Sequence, residues 1–308
     1  MATKQHSTPD ERLGRWAEKH LGVITLDRAV AVGLSARQVQ IRVRRGGLVR
    51  VRQGVYRVNG APITPEQEAY AAVVAAGPSA VVGGLSALAL FGLIEAPKRP
   101  RLTVPPLASA RTPGAVVLRS HLDSLDRTQV GPIPCTTVSR SLVEAARHLD
   151  QARLDELVDS AIHRRLASTS AILGSMRRAR SGWGRAGASR LRNSIQPWLG
   201  PVAPESPGEA RLLRRLAEWG LPEPVRQHPV ELDSGVVRLD VAWPECLVGL
   251  EYDGEEFHGP RRLVADERRE AKLRALGWWI GRVDRHDLAP SSTRLLDELR
   301  PRLLRAAA

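Results

Sequence analysis

Three extended segments separated by tight turns limit what this chain can fold into more than any other feature. Val225–Leu232, Val236–Trp243 and Leu247–Asp253 are separated by Asp233-Ser-Gly235 and by Pro244-Glu-Cys246. Alternating runs around breaks this short are β-hairpins. Ahead of them, Ser206-Pro-Gly-Glu209 opens a helix running to about Trp219. Ser206 as N-cap with Glu209 three residues on predicts a capping box, with Pro207 at the first helical position. Behind them come a helix over about 261–276, a strand Trp278–Val283 and a C-terminal helix from Ser291. The predicted order is αβββαβ plus a final helix.

Strand periodicity places the acids of this region. Val236, Arg238, Asp240 and Ala242 share one face of their strand, and Leu247, Gly249, Glu251 and Asp253 share one of theirs. A hairpin centred near Glu245 sets Asp240 opposite or diagonal to Glu251, within cross-strand reach. Acids brought together beside apolar runs need a cation, arginine partners or water, because burying them bare is costly. Mg²⁺ or Mn²⁺ suits a site of one or two carboxylates completed by water and phosphate oxygens. The same acids suit rim salt bridges with Arg238 or Arg269. Glu209 suits capping, and Asp253-Gly254 suits a turn.

Arg238-Leu-Asp240-Val-Ala-Trp-Pro244 followed by Gly249-Leu-Glu251-Tyr-Asp253-Gly254 and His258 resembles the Vsr-like (very-short-patch-repair-endonuclease-like) branch of the PD-(D/E)XK nucleases. Asp266-Glu-Arg-Arg269, Leu276-Gly277 and Ile280-Gly-Arg282 extend the resemblance over about residues 205–290. It implies a restriction-endonuclease-like fold in which Asp240, Glu251 and Glu209 hold the metal. It also implies that His258 acts near the metal as a base, a task suited to a group titrating near neutrality. The chain departs from that pattern at Asp253, where the superfamily usually has lysine. An acid there cannot stabilise charge developing on phosphate, though it has the oxygen to hold metal. Lys272 and Arg269 are weak candidates for the missing cation. The zinc-site cysteines of the repair enzymes are absent.

Charge divides the chain. Of 46 Lys plus Arg against 33 Asp plus Glu, residues 1–60 hold 12 basic and 4 acidic groups, whereas 205–308 hold 17 and 19. A basic front predicts a polyanionic partner. Residues 11–20 read as a helix. Thr25 caps a short helix to Ala31, and Ser35 caps another over Ala36–Arg45, which packs through Ala36, Val39 and Val43. Arg37, Gln38, Arg44 and Arg45 fall on its other side. Leu48–Val58 reads as a hairpin hinged at Gln53-Gly54, with Arg50, Arg52 and Arg57 able to reach phosphates. Helix, turn, exposed basic helix and basic hairpin is the order of a winged helix-turn-helix, whose second helix reads the major groove. Gly22-Val-Ile-Thr25, Gly33-Leu-Ser35, Arg45-Gly46 and Gly54-Val-Tyr56 resemble the N-terminal domain of AbiEi-type antitoxins. Gly83–Leu93 continues that likeness. It implies a winged-helix regulator of a toxin–antitoxin or phage-defence system, with a cognate toxin or a second copy of itself as partner.

The predicted fold class is therefore multidomain α+β. A winged helix-turn-helix domain spans 1–62, a mixed α/β scaffold 63–203, and a restriction-endonuclease-like αβββαβ domain 204–308. The scaffold shows little chemistry: His121, His148 and His163 have no companion at ligand spacing. Cys135 and Cys246 cannot build a disulfide framework. Ala69–Ile94 carries no charge for 26 residues, but Gly77-Pro-Ser79 and Gly83-Gly84 break it into soluble-core elements. These features, with no apolar leader at the N-terminus, predict a cytoplasmic protein with no membrane partner. Two functions follow as expectations: a DNA-binding protein with a metal-dependent endonuclease domain acting in defence or repair, or a DNA-binding regulator whose nuclease-like domain is inactive.

Overall fold

A computed structural model of the chain describes residues 7–108, 112–179, 184–253 and 260–304. It is a mixed α/β protein with several sheets. Its residues fall into two compact units, Met1–Leu191 and Arg192–Ala308.

The first unit opens with α1 (Pro9–Lys19), β1 (Val23–Thr25), α2 (Leu26–Ala31) and α3 (Ala36–Arg44), then β2 (Leu48–Arg52) and β3 (Val55–Val58). Thr25 and Ser35 cap α2 and α3 through their hydroxyls. Val39 is fully buried and Val43 packs beside it, in one core with Leu13, Ile24, Leu34 and Tyr56, while Ala36 is exposed. The strands form an antiparallel sheet in the order β1-β3-β2.

α4 (Pro65–Ala76), β4 (Val81–Val82), α5 (Gly84–Leu90), β5 (Arg101–Val104) and β6 (Val116–Arg119) follow. The uncharged stretch thus becomes helix, strand and helix. Among the described residues, no helix is long and apolar enough to cross a membrane. Next are β7 (Arg127–Val130), β8 (Ile133–Thr136), α6 (Val138–Ala145), α7 (Gln151–His163), α8 (Thr169–Arg178) and α9 (Gly184–Ile195), which spans the division between units. The five-stranded sheet has the order β6-β5-β4-β8-β7. Val23 and Val55 share one apolar core with Tyr70, Val82, Leu102 and Ile133, so the first sixty residues and the scaffold pack as one body.

The scaffold is not bare of chemistry. Arg140, 1% exposed, lies among Asp126, Glu144 and Ser120. Its Nε donates to Glu144 Oε1 at 2.9 Å and its Nη2 to Ser120 Oγ at 2.7 Å. Nη1 stands 3.6 Å from Asp126 Oδ2. Asp126 also accepts from Ser175 Oγ and Arg178 Nη2. Glu144 Oε2 accepts from Gly84 N–H and Thr103 Oγ1, both at 2.9 Å.

The second unit contains α10 (Pro207–Glu218), β9 (Val225–Leu232), β10 (Gly235–Trp243), β11 (Val248–Tyr252), α11 (Pro260–Ala275), β12 (Trp279–Val283) and α12 (Arg294–Leu304). The sheet order is β12-β11-β10-β9, antiparallel except for the β11–β12 pair. Val241, Trp243, Val248 and Leu250 pack with Leu212 and Leu216 of α10 and with Leu295 and Leu299 of α12. Leu239 and Ala242 pack with Leu273 of α11 and with Trp278. Leu239 and Val241, two residues apart, therefore join different cores. The strict alternation expected to put Arg238, Asp240 and Ala242 on one face is interrupted at Asp240.

Candidate functional site

α10 and the sheet bring Glu209 and Asp240 together through Gln227, a residue that sequence reasoning passes over. Ser206 caps α10, its hydroxyl accepting from Glu209 N–H at 3.1 Å. The return half of the expected capping box does not form: Glu209 Oε2 accepts the backbone N–H of Glu205 at 2.9 Å. Glu209, 8% exposed, is thereby aimed at the sheet. There Gln227 Nε2 donates to Glu209 Oε2 at 3.2 Å and to Asp240 Oδ1 at 3.3 Å.

Gln227 reaches both acids because its backbone is left-handed, with φ 49°. Pairing along β9 and β10 runs from Gly235↔Leu232 to Leu239↔His228, skips Gln227 opposite Asp240, and resumes at Val241↔Arg226. Such a conformation costs an L-residue of order 1–2 kcal/mol and gathers at functional sites. β9 is an edge strand, which allows Gln227 to leave the ladder without stranding a second neighbour. The Pro229 two residues on is the sequence signal of that edge.

Across β10 and β11 the paired register ends at Val241↔Leu250, one step short of Asp240 and Glu251. Backbone pairing stops there because Asp240 Oδ2 itself takes the N–H of Tyr252, at 2.8 Å. Glu251 lies in register with Arg282 of the parallel neighbour β12, and its carboxylate is ion-paired with Arg269 of α11. Arg282 in turn is 3.6 Å from Glu270. Arg269, a weak candidate on the sequence, is ion-paired with Glu251, and Arg282 stands beside it. Lys272 stands further along α11 and is exposed.

Burial raises Asp240 above the ordinary carboxylate value. Tyr252 N–H and the Gln227 amide oppose that rise, the negative charge of Glu205 adds to it, and the positive charge of Arg269 counters it. Burial also raises Glu209; the Glu205 N–H opposes it and the charge of Asp240 reinforces it. Arg269 is lowered by burial first and then by the neighbouring charge of Arg282. The site is therefore a buried acid, Glu209, and a half-buried one, Asp240, beside a third acid, Glu251, whose partner Arg269 also acts on Asp240 by its charge.

Asp253 lies past the end of β11 with its side chain exposed, and its N–H donates to Val283 O at 2.8 Å. His258 falls outside the described residues. Among the described residues, no group of three or more His, Cys, Asp or Glu is arranged to hold a metal ion. The oxygen donors that do converge are the carboxylates of Glu209 and Asp240 and, with its amide turned over, Gln227 Oε1. All-oxygen donors of this kind suit a hard divalent cation in chemistry. Glu251 joins them only if Arg269 gives way.

In the first unit, Arg37, Gln38, Arg44, Arg45 and Arg50 are exposed. Gln38 has a structural task, since its Oε1 accepts Ser35 N–H at 2.7 Å while its own N–H donates to Ser35 Oγ. The signal that finds this task is the Ser-x-x-Gln spacing of a capping box. Arg52 is committed elsewhere, to Glu68 and to the carbonyl of Pro113, with its side chain 8% exposed. That sequestration argues against the phosphate contact expected of it. Arg42 is likewise taken, holding both oxygens of Asp10 at 2.8 and 2.6 Å.

No known family's sequence profile matches the chain. Two Mycobacterium tuberculosis proteins, Uncharacterized protein Rv2248 of strain H37Rv and Uncharacterized protein MT2308 of strain CDC 1551, are each 29% identical to it over 276 residues. The match covers 89% of this chain and 98% of each relative. A solved structure, the RV2827C protein from M. tuberculosis, aligns with TM-score 0.45 and 16% identity over 75% of this chain and 91% of its own.

Proposed function

We propose that the chain is a DNA-binding protein whose second unit is an endonuclease-like domain hydrolysing DNA phosphodiester bonds with Mg²⁺ or Mn²⁺, in defence or repair. The observation that carries this reading is the convergence of Glu209 and Asp240 on the Gln227 amide, with Glu251 across the hairpin from Asp240. Acids raised by burial and by neighbouring negative charge, with Arg269 ion-paired to Glu251 rather than to either of them, favour a cation. Glu209, Asp240 and the Gln227 amide oxygen would hold it. A divalent ion there supplies an activated water and charge stabilisation at a phosphate. The αβββαβ order agrees with a restriction-endonuclease-like, Vsr-like domain. In the first unit, the exposed Arg37, Arg44, Arg45 and Arg50 suit a winged helix-turn-helix that targets the same molecule to DNA.

A second reading is favoured by one observation: Arg269 neutralises Glu251, and Asp253 stands where a lysine is usual. On that reading the second unit is inactive, and the protein is an AbiEi-like regulator whose partner is a toxin or another copy of itself. Cleavage of plasmid and oligonucleotide DNA with Mg²⁺ or Mn²⁺ tests the choice, alongside Asp240→Ala with Glu251→Ala. Metal-dependent cutting that the double variant loses while still binding DNA supports the enzyme. Absence of cutting across metals and substrates, with operator-like binding intact, supports the regulator.

A further inference from the structure

The scaffold carries a cationic cleft that neither reading uses. It is a small cleft of about 60 Å³ where the β4–α5 junction meets β5, β6 and the end of α6, open to solvent and bordered by Gly83, Gly84, Arg101, Glu144, Arg147 and His148. Arg101 is half-buried, and among the described residues its guanidinium makes no hydrogen bond or ion pair. Burial lowers it, and the charge of Arg147 lowers it further. Arg147 Nε donates to His148 Nε2 at 3.0 Å, which fixes that nitrogen as the acceptor of a neutral ring. Burial lowers the His148 ring, and the charges of Arg101 and Arg147 add to that.

Two guanidiniums around one opening repel one another, and among the described residues Arg101 has no counter-charge to offset that cost. The acid at the cleft does not answer it. Both oxygens of Glu144 are already engaged, Oε1 by Arg140 and Oε2 by Gly84 N–H and Thr103. Gly83 shows how closely this junction is packed: a Cβ there would run into Thr103 Oγ1 and Glu144 Oε2. The cleft floor is thus fixed by buried, satisfied groups while its rim presents the half-buried Arg101 cation. Planar guanidiniums match the tetrahedral oxygens of phosphate, taken as forked pairs of N–H bonds.

We propose that this cleft binds a phosphate group through Arg101 and Arg147, with His148 completing the site. The proposal is independent of the nuclease and regulator readings, since no residue of the second unit enters it. The phosphate is that of a small free ligand or the terminal phosphate of a nucleic acid.

The test titrates the full-length protein with inorganic phosphate, against chloride at matched ionic strength, by calorimetry and by NMR of the His148 ring. In parallel, a short duplex with and without a 5′-phosphate is bound by anisotropy. Saturable phosphate binding that raises the His148 titration midpoint, weakened about ten-fold or more by Arg101→Gln and by Arg147→Gln, upholds a small-ligand site. A preference of about ten-fold for the 5′-phosphorylated duplex, erased by the same variants, upholds a nucleic-acid source. Unchanged melting of each variant without phosphate shows that folding is intact; if Arg101→Gln fails that check, His148→Gln and Arg147→Gln carry the comparison. The proposal is overturned if phosphate acts no differently from chloride and the duplexes bind alike. Affinities that survive the substitutions overturn it as well.

Discussion

Gln227 donates its side-chain amide to Asp240 at 3.3 Å from a left-handed backbone, at the one position of the β9–β10 pairing that the ladder skips. The conformation and the hydrogen bond depend on each other, because a residue kept in the ladder would project elsewhere. Glycine is at ease at that φ and alanine is not. Gln227→Ala should therefore retain the strain, lose both amide bonds and destabilise the second unit by about 1–2 kcal/mol. Gln227→Gly should lose the bonds but shed the strain, leaving it about 1 kcal/mol more stable than the alanine variant. Denaturant melts of the two compare them directly. Equal stability would mean the backbone at 227 is not strained.

The acids make a pH prediction of definite sign. Burial first, then neighbouring negative charge, raises Asp240 and Glu209 in the folded chain. The folded state then binds protons that the unfolded state has released, so stability declines as pH rises from the ordinary carboxylate value through the raised one, and levels off above it. Asp240→Asn keeps an oxygen for Tyr252 N–H and removes the half-buried charge. It should flatten that decline and raise stability at neutral pH by about 1 kcal/mol. Melting followed across pH checks this; a steeper decline in the variant would contradict the raised titration.

A glycine links the helix to the same network. A Cβ at Gly208, in the first turn of α10, would meet the ring of Tyr252, whose N–H holds Asp240. Gly208→Ala should displace that ring and destabilise the unit by roughly 1–3 kcal/mol, the usual range for overpacking. The Tyr252 amide resonance should shift in the same variant. A silent resonance and an unchanged melt would show that the ring moves aside freely.

Much of the second unit is legible in the sequence because period-2 patterning, short turns and Ser206 as a cap are local signals. The site is legible in its acids and not in its partners. Gln227 reads as an ordinary strand residue, since nothing local announces a positive φ outside glycine and asparagine. The Glu251–Arg269 pair joins residues that only the packing of α11 on the sheet brings together. The capping box at Glu209 fails because the carboxylate takes the N–H of Glu205, one residue before the cap, while also meeting Gln227 across the sheet. In the scaffold, β4 escapes sequence reasoning because it is two residues long, and β7 and β8 because Arg127-Thr-Gln-Val130 is polar up to its last residue and Ile133-Pro-Cys-Thr136 carries a proline. In the Arg140 network only the Arg140–Glu144 step has a readable spacing, i to i+4 on α6; Ser120, Asp126 and Thr103 join it through tertiary packing.

Arg140 is held wholly inside the first unit by two acids, and removing it leaves Glu144 without its cation. Arg140→Ala should destabilise that unit by roughly 3–5 kcal/mol, the range seen when one partner of a buried pair is removed. Burial already raises Glu144, and Arg140 is the first influence opposing it. The lost stability should therefore be partly recovered at low pH, where Glu144 takes up a proton. A variant that melts like the parent would show that Arg140 is dispensable.

The front of the chain offers a contrast between arginines a few residues apart. Arg44 and Arg45 are exposed at the end of α3, whereas Arg42 is committed to Asp10, whose carboxyl it holds below the ordinary value by hydrogen bonding. For every phosphate that a protein ceases to neutralise, the slope of log affinity against log salt shrinks by about 0.9. Arg44→Ala with Arg45→Ala should therefore lower that slope by about 2 and leave the melting temperature nearly unchanged. Arg42→Ala should act the other way, lowering stability by up to about 1 kcal/mol, as exposed pairs do, with little change in slope. Arg52→Ala should follow Arg42, because its guanidinium is spent on Glu68 and Pro113. Anisotropy titrations over a range of salt concentrations separate the two kinds of arginine. If Arg42→Ala lowers the slope as much as Arg44→Ala does, the DNA face assigned to α3 is misplaced.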